Sequence, residues 1–529
     1  MPSLSEQLER SHAEINELTA RLALLEQERQ NELRARDERI EALIEQLRLL
    51  KAQVFGPSSE KRAAAQISPD QARLLFNEAE AIAHTPTADA APESLAIPAP
   101  TRKKSGRKAL PSDLPRIEVI HDLPEVDKRC THDGNVLEVI GEDYAEQLDY
   151  VPAKLRVIRH VRLKYGCPCC KQGVKLAPAP TQLFPKSNAT PALLAHITTA
   201  KYVDGTPLHR QEAQFVRIGV ELPRATMARW MIQLGGEHVV PLINLMHEQM
   251  LTASLIHMDE TTLQVLKSDK APSADHWMWV RASGPPGKRL VLYDYDASRS
   301  GQVPKRLLEG FSGVLLTDGY EAYNAAIAAH SLTHAGCWAH VRRKFEEARK
   351  VQAQSDSRAR VALDYIGRLY AIERLLRERA ESISDEQRLQ IRQTQSTPIA
   401  TELHRWLIAM SSEVLPQSAF GKAIAYALGQ WSKLIVFLNH AEVPLDNNRC
   451  ENTIRPFVVG RKNWLFSDTQ AGARASANLY SLIETAKGNG IEPHAYLTWL
   501  YTQLPQATCI EHFEAMLPWN AKAELTASR

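Results

Sequence analysis

The sequence has few cysteines, no long apolar run and almost no net charge. Seven cysteines in 529 residues cannot form the dense disulfide framework of a small secreted domain. No apolar run reaches the roughly 18 to 20 residues that span a bilayer. The polar N-terminus lacks the basic start and short apolar stretch of a secretory signal. We therefore expect a cytoplasmic protein that does not associate with membranes.

What the chain does contain is typical of a large globular protein. Hydrophobic residues make up 44% and charged residues 24% of the sequence. Because 529 residues are too many for one compact core, we expect three or more folded units. The net charge of +2 says little about partners, but the positive charges are clustered, and a polyanion would interact with the clusters.

An apolar stripe runs along residues 4–54 in alternating steps of four and three, with a four-residue slip near Arg29. That spacing predicts a long coiled-coil helix whose supercoil relaxes at the slip. We expect pairing with a second copy of the chain, hence a homo-oligomer; docking on the same chain is the alternative. The stripe comprises Leu4, Leu8, Ser11, Ile15, Leu18, Leu22 and Leu25, then Leu33, Arg36, Ile40, Leu43, Leu47, Leu50 and Val54.

A linker with a basic end follows this helix. Residues 81–105 are rich in alanine and proline and nearly devoid of large apolar groups. At its end, five positive charges occur within seven residues, which could lie along phosphates or in a minor groove, although solvated tails have the same composition. These residues are Arg102, Lys103, Lys104, Arg107 and Lys108.

Three cysteines bracket short alternating stretches between residues 117 and 180 that are typical of β-ribbons. Cys167 and Cys170 form a C-x-x-C pair, and Cys130 lies 37 residues before the pair. A structural zinc ion takes four ligands of this kind in a tetrahedral site. We therefore predict a small zinc-ribbon-like β domain with these cysteines as three of its ligands.

Residues 190–250 have a helical pattern with a glycine-containing turn between two short helices, Pro207–Arg217 and Pro223–Leu234. This is the helix-turn-helix pattern, although any helical domain can contain it by chance. The second helix carries Arg224, Thr226 and Arg229, residue types that can contact phosphates or base edges. We predict DNA contact by Arg224 and Arg229.

From residue 254 the pattern changes to strands. Three consecutive strands precede strands that alternate with helices, which indicates a mixed α/β sheet rather than a sandwich. Residues 341–440 are helical almost throughout, and a further helical stretch, Asp446–Arg461, has a carboxylate near its middle. The predicted strands are Ser254–Val265, His276–Ala282, Lys288–Tyr295, Gly313–Thr317 and Ser331–Trp338, and the predicted helices are Val303–Glu309, Tyr320–His330 and a tail containing Leu479–Lys487.

Two aspartates lie at informative places on these strands. Asp259 lies inside the first strand, and Asp318 ends the fourth strand before a glycine turn. If the two strands are adjacent, both carboxylates can converge on a cation, and Mg²⁺ (or Mn²⁺) suits such oxygen ligands. A turn cap is the simpler interpretation of a strand-end aspartate. Two metals need a third acid, and spacing leaves the choice open among Glu442, Glu451 and Glu484.

Several long motifs resemble the insertion sequence 66 family of bacterial transposases. They occur in the family's order, and the resemblance extends over nearly the whole chain. The motifs are Gly106–Arg116, the cysteine-rich segment, His257–Thr261, Thr317–Tyr323, Gly336–Phe345, and Asp446–Phe457 with its continuation Gly460–Trp464.

This resemblance implies a ribonuclease-H-like catalytic core with a helical insertion and an Asp-Asp-Glu triad of Asp259, Asp318 and Glu451. It implies hydrolysis at the terminal repeats of an insertion element, then attack of the freed 3′-hydroxyl on target DNA. Both steps are displacements at phosphorus that need metals rather than a covalent protein nucleophile. Double-stranded DNA and small accessory proteins of the same element are the implied partners. A DNA-binding regulator or a nuclease derived from a transposase is the alternative.

Basic residues near the implied triad are candidates for DNA contact. They would hold phosphates near the metals, and the alternative is a solvated helix face. The candidates are Arg342, Arg343, Arg455, Arg461 and Lys462.

Two cysteine patterns are interpreted against the family. A second C-x-x-C of the family stands where this chain has Cys130, Thr131, His132 and Asp133. The fourth zinc ligand is therefore either His132, the better ligand chemically, or Asp133, which occupies the cysteine's place. Cys337 forms a C-x-x-H pair with His340, and we interpret it as a buried strand residue without a metal.

The sequence thus predicts a multidomain α+β protein in which each segment has its own fold. The predicted segments are a coiled-coil helix (1–56), a helix and linker with a basic end (57–105), a zinc-ribbon-like β domain (106–185), a helix-turn-helix-like domain (186–250), the first part of the catalytic core (251–345), a helical insertion (346–440), the last part of the core (441–505) and a C-terminal tail (506–529).

Overall fold

The computed structural model describes residues 16, 18–36, 39–40, 43–44, 47, 155–165, 175–351, 357–380 and 382–527. The chain divides into two compact units, one comprising Met1–Pro86 and Ala179–Arg529, the other Thr87–Pro178. The predicted basic run and all the predicted zinc ligands lie outside the described residues.

The first described element is a helix, α1, over residues 18–36. All its side chains are exposed, including Leu18, Leu22 and Leu25 of the predicted seam, which are 60%, 62% and 55% exposed. The predicted helix is confirmed over these residues, and its pairing with a second helix stays a prediction.

In the smaller unit, the described residues form a short antiparallel hairpin. Strand β1 (Lys164–Tyr165) pairs with β2 (Lys175–Leu176), and Lys164 lies opposite Leu176. The Arg162 Nε donates to the Ala177 carbonyl at 2.7 Å, which extends the pairing by one side-chain contact.

In the larger unit, helices precede the sheet. Helices α3 and α4 confirm the two predicted short helices, and Gly219 in the turn between them has φ +84°, which glycine adopts without strain. The Glu212 carboxylate accepts from the Arg224 N–H at 2.8 Å, which holds the start of α4 against α3. The elements are α2 (Pro191–Tyr202), α3 (Leu208–Arg217), α4 (Arg224–Gln233), a π-helical turn (Leu234–His238) and α5 (Val240–Leu251).

A six-stranded mixed sheet forms the centre of this unit, in the order β5-β4-β3-β6-β7, with β8 paired to the far end of β3. Strand β4 is antiparallel to both β3 and β5, whereas β6 pairs in parallel with β3 and β7 in parallel with β6. The five predicted strands and the mixed α/β class are thereby confirmed. The elements are β3 (Leu255–Lys267), β4 (Asp275–Ser283), β5 (Leu290–Asp296), α6 (Gln302–Leu307), β6 (Val314–Thr317), α7 (Tyr323–His330), β7 (Thr333–Gly336) and β8 (Ser467–Thr469).

The two faces of the sheet belong to different hydrophobic cores. Because side chains alternate along a strand, Ile256 and Met258 pack into a core shared with α2, α4 and the C-terminal helices. Leu255 and Leu316 pack on the other face, with the helices that follow β7. At the start of β3, even-numbered residues such as Ile256 therefore face the first core, and odd-numbered residues such as Leu255 face the second.

A series of helices follows β7 and covers the region in which the sequence predicts a helical insertion. They pack around Trp338, Phe345 and Leu403, in the core that they share with one face of the sheet. The elements are α8 (Trp338–Val351), α9 (Arg358–Glu378), α10 (Asp385–Ile391), a π-helical turn (Arg392–Ser396), α11 (Thr397–Glu413), α12 (Ala419–Gly429), α13 (Trp431–Leu434) and a 3₁₀ turn (Val436–Leu438).

A buried arginine connects this insertion to the segment that returns to the sheet. Arg392 is 1% exposed, and its Nε and Nη2 donate to the two oxygens of Glu373 at 2.8 and 2.7 Å. Its Nη1 donates to the carbonyls of Phe437 and His440, both at 2.8 Å. The charge is fully paired, and the returning segment is fixed before it reaches the sheet.

The chain ends in helices that pack on the sheet. Helix α15 covers the edge strand β5, because Ser481 and Thr485 accept from the N–H groups of Tyr293 and Val291 at 2.8 and 3.0 Å. The elements are α14 (Asn448–Trp464), α15 (Gln470–Gly488), α16 (Pro493–Gln503), a 3₁₀ turn (Leu504–Gln506), α17 (Ile510–Ala515) and α18 (Pro518–Ala527). Within the described part of the chain, no helix combines the length and apolarity needed to cross a membrane.

Candidate metal centre

Two of the predicted acids meet because their strands are neighbours. Strands β3 and β6 pair in parallel with His257 opposite Leu316. Asp259 and Asp318 each lie two residues further along, so the same register places them side by side. Strand alternation turns both toward the face that the helical insertion covers.

Asp318 is held by the turn that follows β6. Gly319 has φ +93°, and the carboxylate of Asp318 accepts from the Tyr320 N–H at 2.9 Å. From the insertion, the Tyr426 hydroxyl donates to the Asp318 carbonyl at 2.9 Å. The turn-cap interpretation is thus correct locally, and it leaves the second carboxylate oxygen of Asp318 for another ligand.

The third acid reaches the strands through a polar joint. Asn447, just before α14, donates from Nδ2 to the Met258 carbonyl at 3.0 Å, and its Oδ1 lies 3.0 Å from Nδ1 of His257. Burial, and then Arg449, lower the pKa of His257 to about 3, so its neutral ring donates from Nδ1 to Asn447.

This joint places Glu451 in the first turn of α14, beside the aspartates. The sequence prediction of a carboxylate near the middle of this helix was wrong, because the helix begins two residues later and ends three residues later than predicted. The other acids considered are elsewhere: Glu442 is 38% exposed, and Glu484 pairs with Lys487 at 2.8 Å.

The electrostatics of the three acids favour a cation. Burial, and then the like charges of Glu260 and Asp318, raise the pKa of Asp259 well above its ordinary value. Burial also raises the pKa of Glu451 to about 7, although Arg343 opposes this. The Glu451 Oε1 is buried without a hydrogen-bond partner among the described residues. Carboxylate oxygens in this condition fit Mg²⁺ or Mn²⁺, which would relieve the repulsion.

Glu260, next to Asp259, faces the opposite core and is already paired. The Arg299 Nη2 donates to its Oε1 at 2.7 Å, and the Tyr323 hydroxyl donates to its Oε2 at 2.5 Å. The guanidinium of Arg299 lies between the rings of Trp277 and Tyr320, 4.5 and 4.1 Å from their centroids. Both oxygens of Glu260 are therefore engaged away from the candidate centre.

Basic residues of α8 border the centre. Arg343 lies 3.9 Å from Glu451 Oε2, and His340 lies 3.8 Å from Glu451 Oε1. Arg342 pairs instead with Glu346 of its own helix at 3.2 Å. Arg343 and His340 are therefore the residues of this motif that face the acids.

The other predicted DNA-binding residues differ in accessibility. Arg224, Arg229 and Lys462 are exposed. Arg461 is only 6% exposed, and its Nη1 donates to the Thr262 hydroxyl at 2.9 Å. Its guanidinium holds α14 to β3 and offers little surface to a phosphate, so the structure gives no support to the predicted DNA contact of Arg461.

Several residues that shape the centre were not identified from sequence. His257 and Asn447 lie within the quoted motifs, yet no periodicity reveals that they pair across 190 residues. Tyr426 lies in a helical stretch with an ordinary amphipathic pattern. One signal was available in the sequence. Asn447 directly precedes α14, and asparagine is a favoured residue at the start of a helix.

Family models match most of the chain. One described as "Transposase IS66 family" matches residues 186–475, and one described as "IS66 C-terminal element" matches residues 481–519. A model described as "zinc-finger binding domain of transposase IS66" matches residues 127–171. A fourth, described as "Transposase C of IS166 homeodomain", matches residues 42–119.

Relatives of similar length occur in Sinorhizobium fredii (strain NBRC 101917 / NGR234). The uncharacterized protein y4qI is 34% identical over 505 residues, which cover 92% of this chain and 90% of that protein. The uncharacterized protein y4hP is 30% identical over 510 residues, 93% of this chain and 87% of that protein. The uncharacterized protein y4jD is 34% identical over 432 residues, 78% and 82% of the two chains.

Proposed function

Since the chain belongs to the IS66 family of transposases, we propose that it cleaves the ends of its insertion element and joins them to target DNA. Asp259, Asp318 and Glu451 are the proposed ligands of the catalytic Mg²⁺ or Mn²⁺ ions. The observation that carries the proposal is the meeting of these three acids, from three separate segments, in one partly buried centre.

A ribonuclease-H-like core is part of the proposal. The strand order β5-β4-β3-β6-β7, with three antiparallel strands followed by two parallel ones, supports it. So does the placement of two acids on adjacent parallel strands and of the third on a helix packed against them. The helical insertion lies between β7 and that helix.

The residues of the centre have separate roles in this proposal. Bound there, divalent cations would supply activation of the attacking oxygen and stabilisation of the leaving oxygen. The three carboxylates hold those cations, and the His257–Asn447 joint keeps α14 in register with β3. Arg343, 3.9 Å from Glu451, is positioned to bind a phosphate oxygen of the strand being cut.

DNA contacts outside the centre would come from other segments. The descriptions of the models that match residues 42–119 and 127–171 support DNA binding and zinc binding there. Within the described residues, Arg224 and Arg229 on α4 and Lys462 on α14 are exposed and available to phosphates. We further propose that α1 pairs with a second copy of the chain, because its apolar side chains are exposed.

The experiment uses the full chain, duplex DNA containing the native element's ends, and Mg²⁺ or Mn²⁺. We expect a 3′-hydroxyl end and then a joined product. Asp318→Asn and Glu451→Gln should each lower both yields by at least about a hundredfold, since each removes a metal ligand. Glu442→Gln, which removes a surface acid from the returning segment, is the matched control and should retain activity.

Three outcomes contradict the proposal in distinct ways. Cleavage that survives Asp318→Asn would reject the triad. Hydrolysis without joining would identify a nuclease. Specific binding to the ends without cleavage by the unmodified chain would identify a DNA-binding regulator.

A further inference from the structure

A second cluster of side chains that could bind a metal shares Glu451 with the candidate centre. Side-chain ligand atoms of Cys337, His340 and Glu451 all lie within 4.8 Å of one another. His340 faces Glu451 Oε1, whereas Arg343 pairs with Oε2, so one oxygen of this carboxylate is directed to the cysteine and histidine. The set combines sulfur, nitrogen and oxygen, unlike the all-carboxylate triad.

The sulfur of Cys337 is buried and accepts two backbone N–H groups. Cys337 is 3% exposed and lies between the end of β7 and the start of α8. Its Sγ accepts from the backbone N–H of Asn447 at 3.3 Å and from that of His340. Burial, and then the carboxylates of Glu451 and Asp446, raise the pKa of the Cys337 thiol well above its ordinary value, and the two N–H groups oppose this only in part. A cation that binds this sulfur must therefore displace its proton.

The ligand atoms of this cluster favour Zn²⁺ over Mg²⁺. Mg²⁺ takes oxygen ligands and does not favour sulfur, whereas Zn²⁺ binds cysteine, histidine and carboxylate in tetrahedral sites. Zinc–ligand bonds of roughly 2.0 to 2.3 Å separate neighbouring ligand atoms by about 3.3 to 3.8 Å. The three side chains therefore need to approach one another by only about 1 Å, and the fourth position is left for water.

We propose that Cys337, His340 and Glu451 form an inhibitory site for Zn²⁺. Binding replaces the Cys337 thiol proton, which passes to solvent, and forms bonds from the ion to sulfur, imidazole nitrogen and carboxylate oxygen. Glu451 is then withdrawn from Asp259 and Asp318. The binding step stands on the geometry alone, and the inhibition rests on the proposed function of Glu451.

Binding is tested with Co²⁺, a spectroscopic substitute for Zn²⁺, on the metal-free full chain. The wild type should bind about one equivalent more than Cys337→Ser and show a stronger thiolate-to-cobalt charge-transfer band. His340→Gln, a change on a partly exposed side chain, should lose the same equivalent. Cys509→Ser, at an exposed thiol, is the matched control and should bind as the wild type does.

Inhibition is tested by titrating Zn²⁺ into the Mg²⁺-dependent cleavage reaction. Half-inhibition of Cys337→Ser should require at least about tenfold more Zn²⁺ than the wild type. Equal cobalt stoichiometry and equal bands in the wild type, Cys337→Ser and His340→Gln would overturn the site. Equal Zn²⁺ inhibition of the wild type and Cys337→Ser would overturn its inhibitory role. Because cobalt binding needs no cleavage, a failure of the proposed function leaves the binding result interpretable.

Discussion

Replacing Glu451 by glutamine should stabilise the metal-free protein, and the gain should depend on pH. Burial raises the pKa of Glu451 from 4.5 to about 7. A carboxyl whose pKa is raised by folding resists ionisation in the folded state. The folded protein therefore has its full stability below about pH 4.5, where Glu451 is protonated in both states, and loses stability as the pH rises to about 7. Since a difference of one in pKa corresponds to about 1.4 kcal/mol, the free energy of unfolding falls by about 3 kcal/mol over this pH range.

Glutamine imitates the protonated acid at every pH and carries no such loss. Urea unfolding followed by tryptophan fluorescence should give equal free energies of unfolding for the two proteins near pH 4.5. At pH 8, Glu451→Gln should exceed the wild type by about 3 kcal/mol. Glu442→Gln, which removes a partly exposed acid, is the control and should follow the wild type.

The same unfolding experiment is repeated with Mg²⁺ present. If Mg²⁺ binds the assembled acids as proposed, and not the unfolded chain, it should raise wild-type stability at pH 8 and leave Glu451→Gln less affected. If the stability difference between the wild type and Glu451→Gln is constant from pH 5 to pH 8, ionisation of Glu451 does not destabilise the folded protein and the prediction is refuted. A Mg²⁺ response equal in both proteins would refute the participation of Glu451 in the metal site.

Three further predictions concern other charged residues. Arg392→Met should lower the free energy of unfolding by about 3 kcal/mol in urea, since it leaves Glu373 buried and unpaired; a neutral effect would show that the insertion does not depend on this pair. Glu260→Gln should bind as many Mn²⁺ ions as the wild type in a titration followed by electron paramagnetic resonance, because Arg299 and Tyr323 already occupy both oxygens; loss of an ion would make it a ligand. Arg229→Ala should reduce the slope of log affinity for DNA against log salt by about 1, and an unchanged slope would remove α4 from the DNA surface.

Periodicity predicted the first three strands of the sheet well because β3, β4 and β5 are long, rich in apolar residues and bounded by turns. Strand alternation and the strand-end position were enough to expect Asp259 and Asp318 to converge once their strands were neighbours. The pairing in parallel confirms that condition. Strand β8 was missed, since Ser467–Thr469 is only three residues long and has no apolar alternation.

The third acid and the buried charges could not be predicted in the same way. Glu451 is placed by contacts of Asn447 with a strand almost 190 residues earlier, and local patterns contain no such information. Arg392 and Arg461 resemble solvated helix charges in sequence, yet both are buried because distant carbonyl, carboxylate or hydroxyl groups accept their N–H groups. A basic residue becomes internal only when the fold supplies those acceptors.

The joint between His257 and Asn447 also has a consequence for when activity can begin. The two residues are 190 positions apart, and the segment between them includes the sheet's parallel strands and the whole insertion. At roughly 5 to 20 residues per second, a ribosome needs about 10 to 40 s to traverse that interval. From the synthesis of Asp318 to the end of this interval, a nascent chain has both aspartates but not Glu451. If Glu451 has its proposed role, a product truncated between Asp318 and α14 contains both aspartates and is still unable to cut DNA.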